Sequence, residues 1–330
     1  MGIIKIGALQ PAAIPVPSEY RWGHDGYKPD FDAIMEKCVL PQAQVTFDLL
    51  EQAGKRGLDM VTTCEDLSIS SAYIMDTTSA NIFPQVVRTV LPILEERLSG
   101  IAKKYSMHIV ACYFKCYGRD IYNIASVFDD RGEIIGEYRK AHLPSNERFQ
   151  TTPGDSIHTI STQFGPIGIM ICYDMMFPSM AEALSLQGAE IVFHPTFGYG
   201  WYDSIGEATL RTRANDGSFF LITAKDYRYN IAGKSSIIDP WGHVMVDAGF
   251  TPNVVISAEI DLSKPKMHPD WFIHTGITGQ ANLRLRHESE RRPELYGDVC
   301  NKAKYELKIP APGAEQEAFL EKYIKGVYRW

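Results

Sequence analysis

The sequence predicts an α/β protein of mixed sheets covered by helices, and three observations lead there. Up to about residue 114, short apolar strand-like runs alternate with segments of helical spacing. Between residues 121 and 172 the pattern changes to strand–turn–strand units, the signature of hairpins. No linker-like break in composition occurs before about residue 261. Helix–strand alternation mixed with hairpins argues against a purely parallel, doubly wound sheet.

Ile3–Leu9 reads as the first strand, ended by Gln10-Pro11, and residues 11–31 read as a loop rich in Pro, Gly and aromatics. Ala43–Arg56 has helical spacing through Val45, Leu49 and Ala53, with Gly57 as its C-terminal stop. Leu58–Cys64 follows as a strand with Glu65 at its end, and Val90–Tyr105 is a second amphipathic helix leading into the strand Met107–Phe114. Ile121–Phe128 and Glu133–Tyr138 flank the turn Asp129-Asp130-Arg131-Gly132, and Ile157–Gln163 and Ile167–Cys172 flank Phe164-Gly165-Pro166. A helix at Met180–Gln187, a strand at Ile191–His194, a helix at Ile205–Asn215 and a strand at Phe219–Ala224 come next. Ser235–Ile238, His243–Val246 and Val254–Glu259 are expected to form a last antiparallel group. Residues 1–260 therefore read as one domain. Residues 261–330, rich in Pro and charge, read as an extension packing on the core or on a neighbouring subunit.

A chain of 330 residues, 45% hydrophobic and 22% charged, can bury a core without disulfides or a metal. Its net charge of -7, without a basic stripe, argues against nucleic-acid binding. No apolar run reaches the length of a membrane span, and residues 1–20 do not read as a signal peptide. Cys38, Cys64, Cys112, Cys116, Cys172 and Cys300 lack framework spacing and fit reduced thiols in a cytoplasmic protein. Cys112 and Cys116 lack the paired spacing of a zinc site, so neither a metal nor a cofactor is expected.

Cys172 ends the apolar run Ile167–Ile171 and precedes Tyr173-Asp174, a placement that suits a nucleophile held at a sheet end. A lone cysteine in such a place is more often an inert buried thiol, so its partners decide. Glu65 and Lys140 stand at the ends of other strands, and Glu147 lies seven residues beyond Lys140. Singly, each reads as a solvated charge or a weak surface pair. Jointly, on strands sharing an orientation, they converge on the thiol at the edge where α/β folds place ligands.

Glu65, Tyr138-Arg139-Lys140-Ala141-His142-Leu143-Pro144 and Ile171-Cys172-Tyr173-Asp174-Met175-Met176-Phe177-Pro178 resemble the three blocks of the nitrilase superfamily of carbon–nitrogen hydrolases, in order and in spacing. Ala8–Pro11, Tyr122-Asn123 and Ile238–Gly242 extend the resemblance over roughly residues 3–260. It implies a four-layer α-β-β-α sandwich, homo-oligomers, and a Glu-Lys-Cys triad of Glu65, Lys140 and Cys172. By the same resemblance Glu147 would orient Lys140 or the attacking water.

The chemistry expected is hydrolysis of a small amide to a carboxylic acid and ammonia through a thioester on Cys172. Glu65 acts as the base, and Lys140 with the Tyr173 backbone N–H steadies the oxyanion. Tyr173, Asp174, Thr196, Phe197, Trp201 and Tyr73 are the candidate substrate or oxyanion contacts. Residues 197–202 either line the acyl pocket or pack at a subunit boundary, and Tyr73 has the same ambiguity. His142 is expected to pack in its loop, His194 to shape the pocket wall, and Arg211 and Arg213 to make fold and interface contacts. Nitrilases usually carry Trp-Glu after the thiol where this chain has Tyr173-Asp174. Carbamoyl hydrolases often carry an Arg where it has Met175-Met176. Ser179 stands where the family commonly has Glu, which puts one helix-start contact in doubt. Nitrile or N-carbamoyl hydrolysis is the alternative reading, and a non-catalytic binding protein on the same fold is the alternative of a different class.

Overall fold

Parallel strand pairs need a crossover, and the helical segments supply them. In a computed structural model that describes residues 2–21, 23–74, 76, 80–144, 147–197, 203–227, 234–263, 284, 288 and 290–300, β1 (Ile3–Gln10) and β2 (Met60–Thr62) run parallel. A helix connects them, entering at α1 (Phe31–Ile34), passing a π turn at Met35–Val39 and continuing as α2 (Leu40–Lys55). Asp30 caps it by accepting from the Ala33 N–H at 3.0 Å. α3 (Ile82–Tyr105) leads from β2 to β3 (His108–Tyr117), again parallel. This helix starts eight residues before the expected Val90. Ile82, Phe83, Val86 and Val87 continue its buried face, and Pro92 is accommodated inside it.

β3, β4 (Asp120–Phe128) and β5 (Ile134–Arg139) form an antiparallel meander. The turn before β5 closes as its sequence predicts: Asp129 Oδ1 accepts the N–H groups of Arg131 and Glu133, both at 2.9 Å. Gly132 has φ +82, and a Cβ there would strike the Ser99 carbonyl.

The second sheet repeats this logic. β6 (Ile160–Thr162) and β7 (Gly165–Ile169) are a hairpin. α4 (Pro178–Leu186) and α5 (Asp203–Gly217) then carry the chain in parallel from β7 to β8 (Ile191–Thr196) and on to β9 (Phe220–Lys225). β10 (Ser236–Ile238) and β11 (Val244–Asp247) complete that sheet antiparallel. β12 (Val254–Asp261) departs from expectation. It crosses to the first sheet and pairs antiparallel with all of β1, from Ile3↔Asp261 to Gln10↔Val254. The sheet orders are β12-β1-β2-β3-β4-β5 and β11-β10-β9-β8-β7-β6.

The layers follow from the two apolar clusters. One fills the space between α2, α3 and the first sheet, with Leu50, Phe83, Leu94, Ile109 and Phe128 at its centre. The other joins the two sheets through Ile6, Met60, Val110, Ile169 and Phe193, and reaches Leu184 and Leu210 on the helices beyond. The chain is therefore an α-β-β-α sandwich. Of the extension, Arg284 meets Glu190 at 2.9 Å and Arg291 meets Glu182 at 2.7 Å, so these residues lie on the chain's own α4 side. Among the described residues no helix is long and apolar enough to cross a membrane.

Candidate active site

β2, β5, β7 and β8 all point their C-terminal ends toward one edge of the sandwich, and polar residues at or just beyond those ends meet there. Beyond β2, Thr63 N–H bonds to the Val110 carbonyl at 3.0 Å and Thr63 Oγ1 accepts the Cys112 N–H at 3.0 Å. These bonds carry Glu65 into the interior. Asp66, at φ +48, turns the chain away, and its carboxylate accepts from Ser70 N–H and Ser71 N–H at 3.1 and 2.7 Å. Beyond β5, Lys140 is pinned on both sides: its N–H bonds to the Asn123 carbonyl at 2.9 Å and its carbonyl accepts from Gly154 at 2.8 Å. Glu147 opens a short 3-10 turn, Glu147–Phe149, held by Thr151 Oγ1 on its carbonyl at 2.6 Å.

These side chains form one cluster. Lys140 Nζ lies 2.8 Å from Glu65 Oε1 and 2.6 Å from Glu147 Oε1. Asn123 Nδ2 donates to Glu65 Oε1 at 2.8 Å and reaches Glu147 Oε2 at 3.4 Å. The Phe197 N–H binds the other Glu65 oxygen at 2.9 Å. The Cys172 thiol is hydrogen-bonded to Glu65 and to Thr196.

Cys172 itself is not the last residue of a strand. β7 ends at Ile169, and Cys172 begins a 3-10 turn, Cys172–Met176, with φ +46. That left-handed backbone is costly for a residue with a Cβ and persists only where the surroundings enforce it. Two residues do so. His194, buried on β8, has Nε2 3.2 Å from the Cys172 carbonyl and Nδ1 3.3 Å from Thr223 Oγ1. A carbonyl only accepts, so Nε2 carries the proton and Nδ1 accepts from the hydroxyl. Asp174 is fully buried. Its Oδ2 accepts from Ile171 N–H at 2.9 Å and Tyr138 O–H at 2.8 Å, and its Oδ1 from His142 N–H at 2.9 Å, with His142 Nδ1 at 2.8 Å.

Asp174 therefore faces inward and ties the Cys172 turn to the segment that carries Lys140. It is not the substrate contact its position beside Cys172 suggests. Tyr73 likewise lies elsewhere, within the apolar cluster under α2 and α3, its hydroxyl directed at the Cys38 thiol. Tyr173 is partly exposed and meets the Phe177 ring edge-on. Thr196 and Phe197 reach the cluster as described, and Trp201 lies outside the described residues. Arg213 Nε binds the Met175 carbonyl at 2.9 Å and Arg211 Nε the Gly242 carbonyl at 2.6 Å, both fold contacts. Two residues take parts here that the sequence assigns to no step of the chemistry. Asn123 had a signal, an amide inside the apolar run Ile121–Phe128. His194, expected to shape the pocket wall, also braces the Cys172 turn through its carbonyl.

Two carboxylates around one ammonium leave a net negative charge in a buried place, which is expensive. Burial and the Glu65 charge, only partly offset by Lys140, push the Glu147 carboxyl up to about 7. Burial alone would raise Glu65 too, but the Lys140 charge and the bonds from Lys140, Cys172 and Asn123 hold it below the usual carboxylate range. Burial disfavours the Lys140 ammonium, yet Glu147 and Glu65 hold it charged. Burial and the Glu65 charge push the Cys172 thiol up to about 12, so it rests protonated. Among the described residues no group of three His, Cys, Asp or Glu is placed to hold a metal ion.

Residues 49–266 match the family model described as carbon-nitrogen hydrolase. The chain belongs to the carbon–nitrogen hydrolase family. Among its curated relatives, the omega-amidase NIT2 of Mus musculus is 30% identical over 233 residues, which are 66% of this chain and 81% of the relative. The deaminated glutathione amidase of Bos taurus is 32% identical over 195 residues, 54% of this chain and 55% of the relative. Among solved structures, this carbon–nitrogen hydrolase shares its fold with one from Helicobacter pylori G27 (TM-score 0.70, 23% identity, 91% of this chain and 99% of that one). An amidase from Nesterenkonia sp. AN1, solved with acrylamide, has TM-score 0.67 at 19% identity, covering 90% and 97%.

Proposed function

We propose that this carbon–nitrogen hydrolase is an amidase that converts a small amide to a carboxylic acid and ammonia through a thioester on Cys172. The observation that carries the reading is the Cys172 thiol bonded to a buried carboxylate, Glu65, which lies 2.8 Å from the buried Lys140 ammonium. A thiol with so high a pKa is no nucleophile until its proton leaves. Glu65 takes that proton as sulfur attacks the amide carbon, and the C–N π character is lost. The oxyanion forms beside Lys140 Nζ and the Tyr173 N–H, donors of a kind typically worth about 3–4 kcal/mol. Glu65 then gives the proton to nitrogen, the C–N bond breaks and ammonia leaves. A water, deprotonated by Glu65, attacks the thioester. Collapse expels the Cys172 sulfur, which regains a proton from Glu65, and the acid departs.

The two positions after the nucleophile turn support a neutral acyl group. Met175 is buried and gives its carbonyl to Arg213, and Met176 is an exposed thioether, so neither offers a charge to clamp a carboxylate. The two relatives named as amidases support the choice of an amide over a nitrile. A panel of small amides, nitriles and N-carbamoyl compounds, followed by ammonia release and intact mass, tests this. Expected are ammonia from amides, an acyl adduct on Cys172 in wild type, and neither in Cys172→Ala. Full turnover by Cys172→Ala, or release only from nitriles, sinks the reading.

A further inference from the structure

Asn123 sits on β4 opposite Phe114 of β3, with 1% of its surface exposed. The ionised Glu65 carboxylate only accepts, so the Asn123 amide must turn its NH2 group toward it. The NH2 nitrogen lies 2.8 Å from Glu65 Oε1 and 3.4 Å from Glu147 Oε2. Oδ1 then faces away, and the Cys112 thiol of β3 donates to it at 3.4 Å. Cys112 is fully buried, and burial together with the Glu65 charge keeps its thiol protonated, hence a donor. A flipped amide would set Oδ1 against the ionised Glu65 carboxylate and leave the Cys112 S–H facing an NH2 group. Cys112 thus selects one orientation.

The donors are shared unequally. Glu65 receives Lys140 and Asn123 on one oxygen and the Phe197 N–H on the other. Among the described residues, Glu147 receives Lys140 and the longer Asn123 contact. Hydrogen bonds to a carboxylate favour its charged form.

We propose that Asn123, aimed by Cys112, is a positioning residue that holds Glu65 in place as the base facing Cys172. The inference rests on the amidase reading for the role of Glu65 as base. The charged or titratable groups facing this carboxylate are Lys140 and Glu147 after β5, Cys172 after β7, His194 on β8, Cys112 on β3 and the adjacent Asp66.

The test uses the full chain. Asn123→Leu removes the donors at similar size, Cys112→Val removes the aiming donor, and Cys112→Ser keeps one. The rate of Cys172 alkylation by iodoacetamide against pH, read by peptide mass spectrometry, follows the base without a substrate. The pH profile of kcat/KM for a turned-over amide is recorded beside it. In Asn123→Leu the acid limb of both profiles is expected to move up by about one pH unit, with kcat down about tenfold. Cys112→Val is expected to move less and Cys112→Ser not at all. An unmoved acid limb in Asn123→Leu, or Cys112→Ser behaving like Cys112→Val, overturns the proposal. If Asn123→Leu does not fold, the two Cys112 variants decide alone. Silence of the wild type toward every amide counts against the amidase reading, and the alkylation profiles still decide this inference.

Discussion

Lys140 Nζ and Glu65 Oε1 meet at 2.8 Å with side chains only 0% and 4% exposed, although the two residues stand 75 positions apart in the chain. Desolvating both is costly, and the cost is recovered only because Glu147, Asn123 and the Phe197 N–H complete the polar shell. The pair is therefore fragile to the loss of either member.

Lys140→Met keeps the aliphatic stem and removes the charge. Two buried carboxylates then lose their counter-ion, a loss of about 3–5 kcal/mol at neutral pH. Without Lys140, the folded-state pKa of Glu65 rises above its unfolded value, so the penalty is absent below the ordinary carboxylate range and grows as pH rises. Urea denaturation at pH 5 and pH 8 should show the larger deficit at pH 8. An equal deficit at both would mean that packing, not charge, is what was lost.

Glu147→Gln isolates the shared proton. The Glu147 carboxyl is raised from 4.5 to about 7, so its contribution is full below pH 4.5 and is lost as pH climbs through 7. Gln has no such loss. Relative to wild type, the variant should gain roughly 2–3 kcal/mol between pH 4.5 and pH 8, from about 1.4 kcal/mol per pH unit of displacement. Thermal melts across that range check it, and a flat difference counts against a proton on Glu147.

His194 is displaced in the opposite sense. Burial lowers it from 6.5 to about 4. Its contribution is full above pH 6.5 and is lost as pH falls through 4, because the unfolded imidazole takes a proton that the folded one refuses. His194→Gln, neutral throughout, should start less stable than wild type at pH 7.5 and close most of that gap by pH 4. A gap that widens on acidification would contradict the neutral, Nε2-protonated form.

Asp174→Asn places an NH2 group against donors that now bond to a carboxylate: Ile171 N–H, Tyr138 O–H and the two of His142. About 2–4 kcal/mol of stability should go. The Cys172 turn should loosen, so kcat falls more than KM rises. Unchanged stability and kcat would remove Asp174 from its bracing role.

Much of this molecule could be read along the chain. The strand-turn-strand units announced themselves through Asp129–Gly132 and Phe164–Pro166, where turn chemistry is local. Glu65 and Lys140 were legible only jointly, each placed near the end of a strand-like run and each part of a block that resembles the family. The destination of Val254–Asp261 did not, since a strand's partner depends on edges formed elsewhere, and here the open edge was β1. Asp174 looked like a pocket residue because it adjoins Cys172. Its true direction depends on Tyr138 and His142, more than thirty positions away.

The sequence by itself determined the alternation of elements, the family blocks and the three polar residues that follow β2, β5 and β7. These depend on the period of apolar positions and on short-range turn chemistry. Only the tertiary structure decided that Cys172 rests as a thiol, that Asn123 bridges two glutamates, and that Glu147 rather than Glu65 is the carboxyl raised toward neutrality. Those outcomes turn on burial and on charges 2.6–2.8 Å apart. Spacing along a chain carries neither quantity until the two sheets have closed on each other.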